Sequence, residues 1–67
     1  MRKGTIKRLV SDRGFGFIEE EGNPKDLFFH ASALVDVEFD SLREGDNVTF
    51  EVEENDKGAH AINVKQA

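Results

Sequence analysis

Two short runs hold the residues whose types and spacing suggest chemistry: Arg13-Gly14-Phe15-Gly16-Phe17-Ile18-Glu19 and Asp26-Leu27-Phe28-Phe29-His30-Ala31. Read as strands, alternate residues face opposite ways. In the second run Leu27, Phe29 and Ala31 share an apolar face, and Asp26, Phe28 and His30 share the other. In the first run, if Ile18 is core, Phe15 and Phe17 lie outside with Glu19. Gly16 then turns inward, where a missing side chain lets a strand bend sharply. Parity alone leaves the reverse arrangement open, with both phenylalanines in the core and Ile18 outside. Aromatic rings grouped on a polar face suggest a use. The use that fits is stacking, since one flat ring holds a nucleobase by about 1–3 kcal/mol. Lys7, Arg8 and Arg13 adjoin these runs and are the cations positioned to meet phosphates.

Other constellations point nowhere further. His30 and His60 are the only histidines. A metal site needs several convergent ligands, so no metal and no other cofactor is expected. His30 is read as stacking on or hydrogen-bonding a base, and His60 as a surface residue at the margin of that face. Glu19-Glu20-Glu21 and Glu53-Glu54 place carboxylates together without a nucleophile, metal or pocket, so no enzyme is expected. Gly14 and Gly16 are not followed by a helix start or a phosphate-loop lysine. Asn47-Val48-Thr49 matches a glycosylation sequon, read as chance because no secretory signal is evident.

The elements that must position these residues are short. Turn signals fall at Asp12-Arg13-Gly14, Gly22-Asn23-Pro24-Lys25, Glu44-Gly45-Asp46-Asn47 and Asn55-Asp56-Lys57-Gly58. The clearest strand is Val48-Thr49-Phe50-Glu51-Val52-Glu53, with strict period two and positions 48, 50 and 52 inward. Ala61-Ile62-Asn63-Val64-Lys65 repeats the pattern, which predicts Ile62 and Val64 inward and a hairpin through residues 55–58. Ser41 and Glu44 fit a capping box, and Gly45 would end that single helical turn. Val35 to Asp40 alternates as well, as a short strand or an extended loop. No segment reads as an amphipathic helix. Short strands separated by turns point to a small barrel or sandwich.

Composition bounds the rest. A chain of 67 residues is one small domain, burying roughly 60% of its unfolded surface. It has no cysteine, so no disulfide and no thiolate metal site. No apolar run is of membrane-spanning length. Met1-Arg2-Lys3-Gly4-Thr5-Ile6 lacks a secretory h-region, so a cytoplasmic, soluble monomer is expected. The net charge of −5 argues against phosphate binding by bulk attraction. Its distribution changes the reading. Residues 1–13 carry five cations against one acid, net +4, and residues 14–67 carry four against thirteen, net −9.

At the two aromatic runs the sequence resembles the bacterial cold-shock proteins. Arg13-Gly14-Phe15-Gly16-Phe17-Ile18 is similar to that family's first ribonucleoprotein motif, usually Lys-Gly-Phe-Gly-Phe-Ile. Leu27-Phe28-Phe29-His30 is similar to the second, usually Val-Phe-Val-His. Gly4, Ile6, Lys7, Ser32-Ala33-Leu34, Leu42, Glu44-Gly45, Val48, Phe50-Glu51, Lys57-Gly58 and Asn63-Val64 extend the likeness over the whole chain.

The resemblance implies an all-β, five-stranded antiparallel barrel of the oligonucleotide-binding type, one domain over residues 1–67. It implies single-stranded RNA or DNA as partner, and a role as RNA chaperone or regulator of transcription or translation. The binding face it implies comprises Lys7, Arg13, Phe15, Phe17, Phe28, His30 and Phe39, with both first-motif rings outside.

Departures from the family pattern are specific. Arg8 stands where tryptophan is usual, and Ala31 where phenylalanine is usual. Val10 replaces a common asparagine, Ala59 a common proline and His60 a frequent glutamine. A guanidinium plane can stack on a base and contact a phosphate, so Arg8 is a partial substitute. Ala31 is none. Losing one or two stacks predicts binding weaker by roughly one to four decades than in a full-platform relative. The competing expectation is a protein-interaction module on the same barrel, its aromatic patch anchoring a partner chain.

Overall fold

The computed structural model describes residues 2–56 and 58–67. Five strands follow one another: β1 (Arg2–Val10), β2 (Phe15–Glu20), β3 (Asp26–His30), β4 (Asn47–Asn55) and β5 (Gly58–Gln66). They close a barrel in the order β1-β2-β3-β5-β4. Neighbours are antiparallel except at the closure, where β3 and β5 run parallel. Single 3₁₀ turns at Ala31–Ala33 and Phe39–Ser41 lie between β3 and β4. The expected all-β, five-stranded barrel is the observed one.

The core follows from period two. Ile6, Ile18, Leu27, Phe29, Leu42, Val48, Phe50, Ala61 and Val64 are buried together. Their alternation with exposed residues fixes the face each strand turns inward. Two glycines let the strands approach. A Cβ on Gly16 would lie 2.7 Å from the Arg8 carbonyl oxygen and 2.8 Å from Cε1 of Phe29. A Cβ on Gly4 would lie 2.7 Å from Cγ2 of Ile18. The inward Gly16 is therefore required by packing against the Phe29 ring.

The structure departs from the sequence reading at Ile62 and at the expected helical turn. Ile62 is half-buried, and Ala61 takes the inward position beside Val64. The cause is a register shift against β4: Thr49 pairs with Lys65 but Glu51 with Ile62. The extra β5 residue is absorbed around Asn63, at φ 50. Such a bulge flips the parity on its far side.

The helical turn expected over residues 41–45 lies earlier, at Phe39–Ser41, and Ser41 is its last residue. Leu42 adopts extended backbone and drops into the core at 2% exposure. Glu44 caps nothing locally; its Oε2 accepts the Leu9 amide N–H at 3.3 Å. Residues 35–38 form an irregular loop with Asp36 at φ 58, not a strand. The fourth turn joins β4 to β5 through the Asn55–Gly58 pair, and its Lys57 lies outside the described residues.

Candidate nucleic-acid interface

The outer faces of β1, β2 and β3 assemble the site. Register brings Arg8, Phe17 and Phe28 into one row across the three strands. The closure adds His60 of β5, the register partner of Phe28. A second row runs Val10, Phe15, His30. Residues opposite one another in a sheet project to the same side, so both rows present one surface.

Phe15, Phe17 and Phe28 form a triangle of rings. Centroids are 5.4 Å apart for Phe15–Phe28, 5.9 Å for Phe15–Phe17 and 6.1 Å for Phe17–Phe28. Two of these contacts are edge-on, the geometry the ring quadrupole favours. Mutual contact leaves Phe15 and Phe17 half-buried and Phe28 the one exposed large apolar side chain among the described residues, at 39%. Ile18 and Phe29 on the opposite face are fully buried. Of the two parity assignments, the rings-outward one is correct.

His30 is held in place. Its Nδ1 accepts the Ser32 amide N–H at 3.1 Å and lies 3.0 Å from the Ser32 hydroxyl. In the neutral ring that arrangement puts the proton on Nε2 and leaves it for a ligand. Phe39 is not brought to the triangle. Its ring packs on buried Phe29, centroids 6.2 Å apart, against the core cluster.

The cations divide into engaged and free. A β1 register shift pairs Ile6 with Ile18 and Arg8 with Phe17, making Lys7 the extra residue. This bulge exposes two successive cations where strict alternation would have turned one inward. Lys7 Nζ lies 3.5 Å from Asp26 and 3.8 Å from Glu19. Arg2 is bound to Glu20 at 3.0 Å. Arg8 and Arg13 have no side-chain partner among the described residues. The +4 segment thus presents less free charge than its composition implies. Lys7, Arg8, Phe17, Asp26 and Glu44 line a shallow cleft at the end of the first row. Phe28, Asn55, Gly58, Ala59 and His60 line another at its opposite end. The marginal His60 is thus continuous with the ring surface, a link that only the parallel β3–β5 pairing reveals. No group of three or more His, Asp or Glu side chains converges to hold a metal among the described residues. No helix is long and apolar enough to cross a membrane among the described residues.

The profile of the "cold-shock" DNA-binding domain matches residues 2–67. The chain belongs to the cold-shock domain family. It is 48% identical to cold shock protein CspC of Bacillus subtilis over 67 residues, all of both chains. It is equally identical over 64 residues to cold shock protein CspA of Staphylococcus saprophyticus and of Staphylococcus aureus, covering 96% of each chain. Cold-shock domains are nucleic-acid-binding, non-enzymatic proteins. The aromatic, partly basic face of this cold-shock domain is its candidate binding surface.

Proposed function

We propose that the protein binds single-stranded RNA or DNA by laying successive bases on Phe15, Phe17, Phe28 and His30. Arg8 and Arg13 meet phosphates, with Lys7 contributing the part of its charge that Glu19 and Asp26 leave uncompensated. Phe39 takes a base at the far edge, reached past the gap that Ala31 leaves. The observation that carries this reading is the triangle of three phenylalanine rings on the outer face, beside cations without partners. Each base offers a π-face, so such a surface tolerates many sequences. Paired bases keep their faces inside the duplex, so duplex binds far worse. The protein acts as a cytoplasmic monomer that traps unpaired RNA transiently, an RNA chaperone or regulator of transcription or translation.

The test is a titration of a labelled pyrimidine-rich single strand and its duplex, with Phe28→Ala alongside. Single-strand binding that is lost in the duplex and weakened in the variant supports the reading. Equal indifference to both forms overturns it and turns attention to a protein partner for the same patch.

A further inference from the structure

The cleft at the end of the first row differs in chemistry from the ring platform it adjoins. Its walls are Lys7, Arg8, Phe17, Asp26 and Glu44, two cations, two carboxylates and one ring. A cleft meant only for phosphate gains nothing from carboxylates, which repel it. A base edge, in contrast, needs donors and acceptors side by side. Two of the four charged groups are already occupied, because Lys7 and Asp26 pair at 3.5 Å. Arg8 has no partner among the described residues. Glu44 is anchored through Oε2 by the Leu9 amide at 3.3 Å, and its Oε1 takes no hydrogen bond among the described residues. The working pair is therefore one guanidinium and one carboxylate beside the Phe17 ring.

Among the five common bases, guanine matches such a pair. Its O6 and N7 form a two-acceptor edge for an arginine fork. Its N1–H and N2–H form a two-donor edge for a carboxylate, and an unpaired base offers both edges at once. Adenine, cytosine, thymine and uracil each lack at least one of these two-atom edges. We infer that this cleft is a guanine-selective subsite, in which Arg8 turns from phosphate to the O6 and N7 of a guanine, Glu44 accepts from N1–H and N2–H, and Phe17 packs against the base. The cleft is about 550 Å³, roomy enough for a purine ring. This inference rests on the single-strand reading above and adds base identity at one end of the site.

The test uses the full chain and labelled oligothymidylate heptamers in which guanine replaces each thymine in turn. Guanine at one position, near one end of the heptamer, is expected to raise affinity by about tenfold over the all-thymine strand. Replacing that guanine by 7-deazaguanine, which lacks N7, or by inosine, which lacks the N2 amine, should each remove most of the gain. Arg8→Gln and Glu44→Gln should bring the guanine-to-thymine affinity ratio towards one, whatever they do to affinity itself. The base-analogue series uses the unaltered protein, so it stands even if a variant folds poorly. A ratio near one at every position, with all-thymine strands still bound, overturns the inference and leaves the platform reading intact. A gain that survives Arg8→Gln overturns it as well. If Arg8 serves phosphate alone, its loss weakens all strands by one factor and the ratio stays put, which also overturns it. Absence of binding by every strand removes the inference together with the reading beneath it.

Discussion

Phe28 and Phe29 are consecutive residues on opposite sides of one barrel wall: Phe28 is 39% exposed and Phe29 is fully buried. Identical side chains one position apart therefore let the proposed binding face and the core be probed separately. Phe28→Ala is expected to weaken single-strand binding by about ten- to a hundredfold, one lost stack, with a nearly unchanged thermal midpoint. Phe29→Ala removes a core ring at a cost of about 3–5 kcal/mol. A domain of this length has about 3–10 kcal/mol in total. The second variant should unfold or melt far lower, as read by circular dichroism. Unfolding of Phe28→Ala would reverse the assignment of faces.

Gly16 carries a second prediction. The added methyl of Gly16→Ala meets the Arg8 carbonyl at 2.7 Å and the Phe29 ring at 2.8 Å. Overpacking of this kind costs about 1–3 kcal/mol. The expected outcome is a lower denaturation midpoint at unchanged m-value. A variant as stable as the parent would mean that the Phe29 ring and the β1 backbone give way to the added methyl.

Charge on the binding face sets a third. With two to four phosphates neutralised, the logarithmic salt slope for single-strand binding should lie at about −1.4 to −2.8. A slope steeper than about −5 would contradict binding led by stacking. Glu19→Gln removes one of the two carboxylates beside Lys7. It should tighten binding by roughly two- to fivefold at low salt and steepen the slope by about 0.7. Stability should hardly move, because an exposed ion pair contributes about 0–1 kcal/mol. An unchanged slope would show that Lys7 does not reach phosphate.

Ala31 supplies a fourth. It follows His30 directly, as the first residue of the 3₁₀ turn Ala31–Ala33. Ala31→Phe should add one stack and tighten single-strand binding by about tenfold. The gain should vanish with duplex. No gain with single strands would indicate that the ligand leaves the face before reaching this end.

Phe28 was legible in the sequence because period two is a local property: Leu27 and Phe29 alternate with Phe28 and His30, and parity and structure agree. On β2 parity left both arrangements open, and the family resemblance put Phe15 and Phe17 outside, where the structure has them. Ile62 was misplaced because a bulge at Asn63 is set by pairing with β4, which no window on β5 alone contains. The same limit hid the bulge at Lys7 that puts Arg8 opposite Phe17. The capping motif at Ser41 and Glu44 failed because Leu42 between them is claimed by the core and Glu44 by the Leu9 amide. Lys7 was recognisable as a cation, but its neutralisation by Glu19 and Asp26 depends on three strands meeting. Contacts of that range appear only once the barrel has closed.

That closure bears on how the molecule opens. Among the described residues β3 and β5 share one registered pair, Phe28 with His60, followed beyond the strand end by the Leu34–Val64 bridge. The antiparallel neighbours run in register over several residues each. The seam is thus the natural site of sub-global opening, and amide protons along β3 and β5 should exchange with solvent sooner than those between β1 and β2. On the proposed reading, a strand of bases extended from Phe28 onto His60 would span this seam. Its binding energy then adds directly to the cost of unzipping the barrel, so ligand acts as a removable staple and slows exchange most at the junction it crosses.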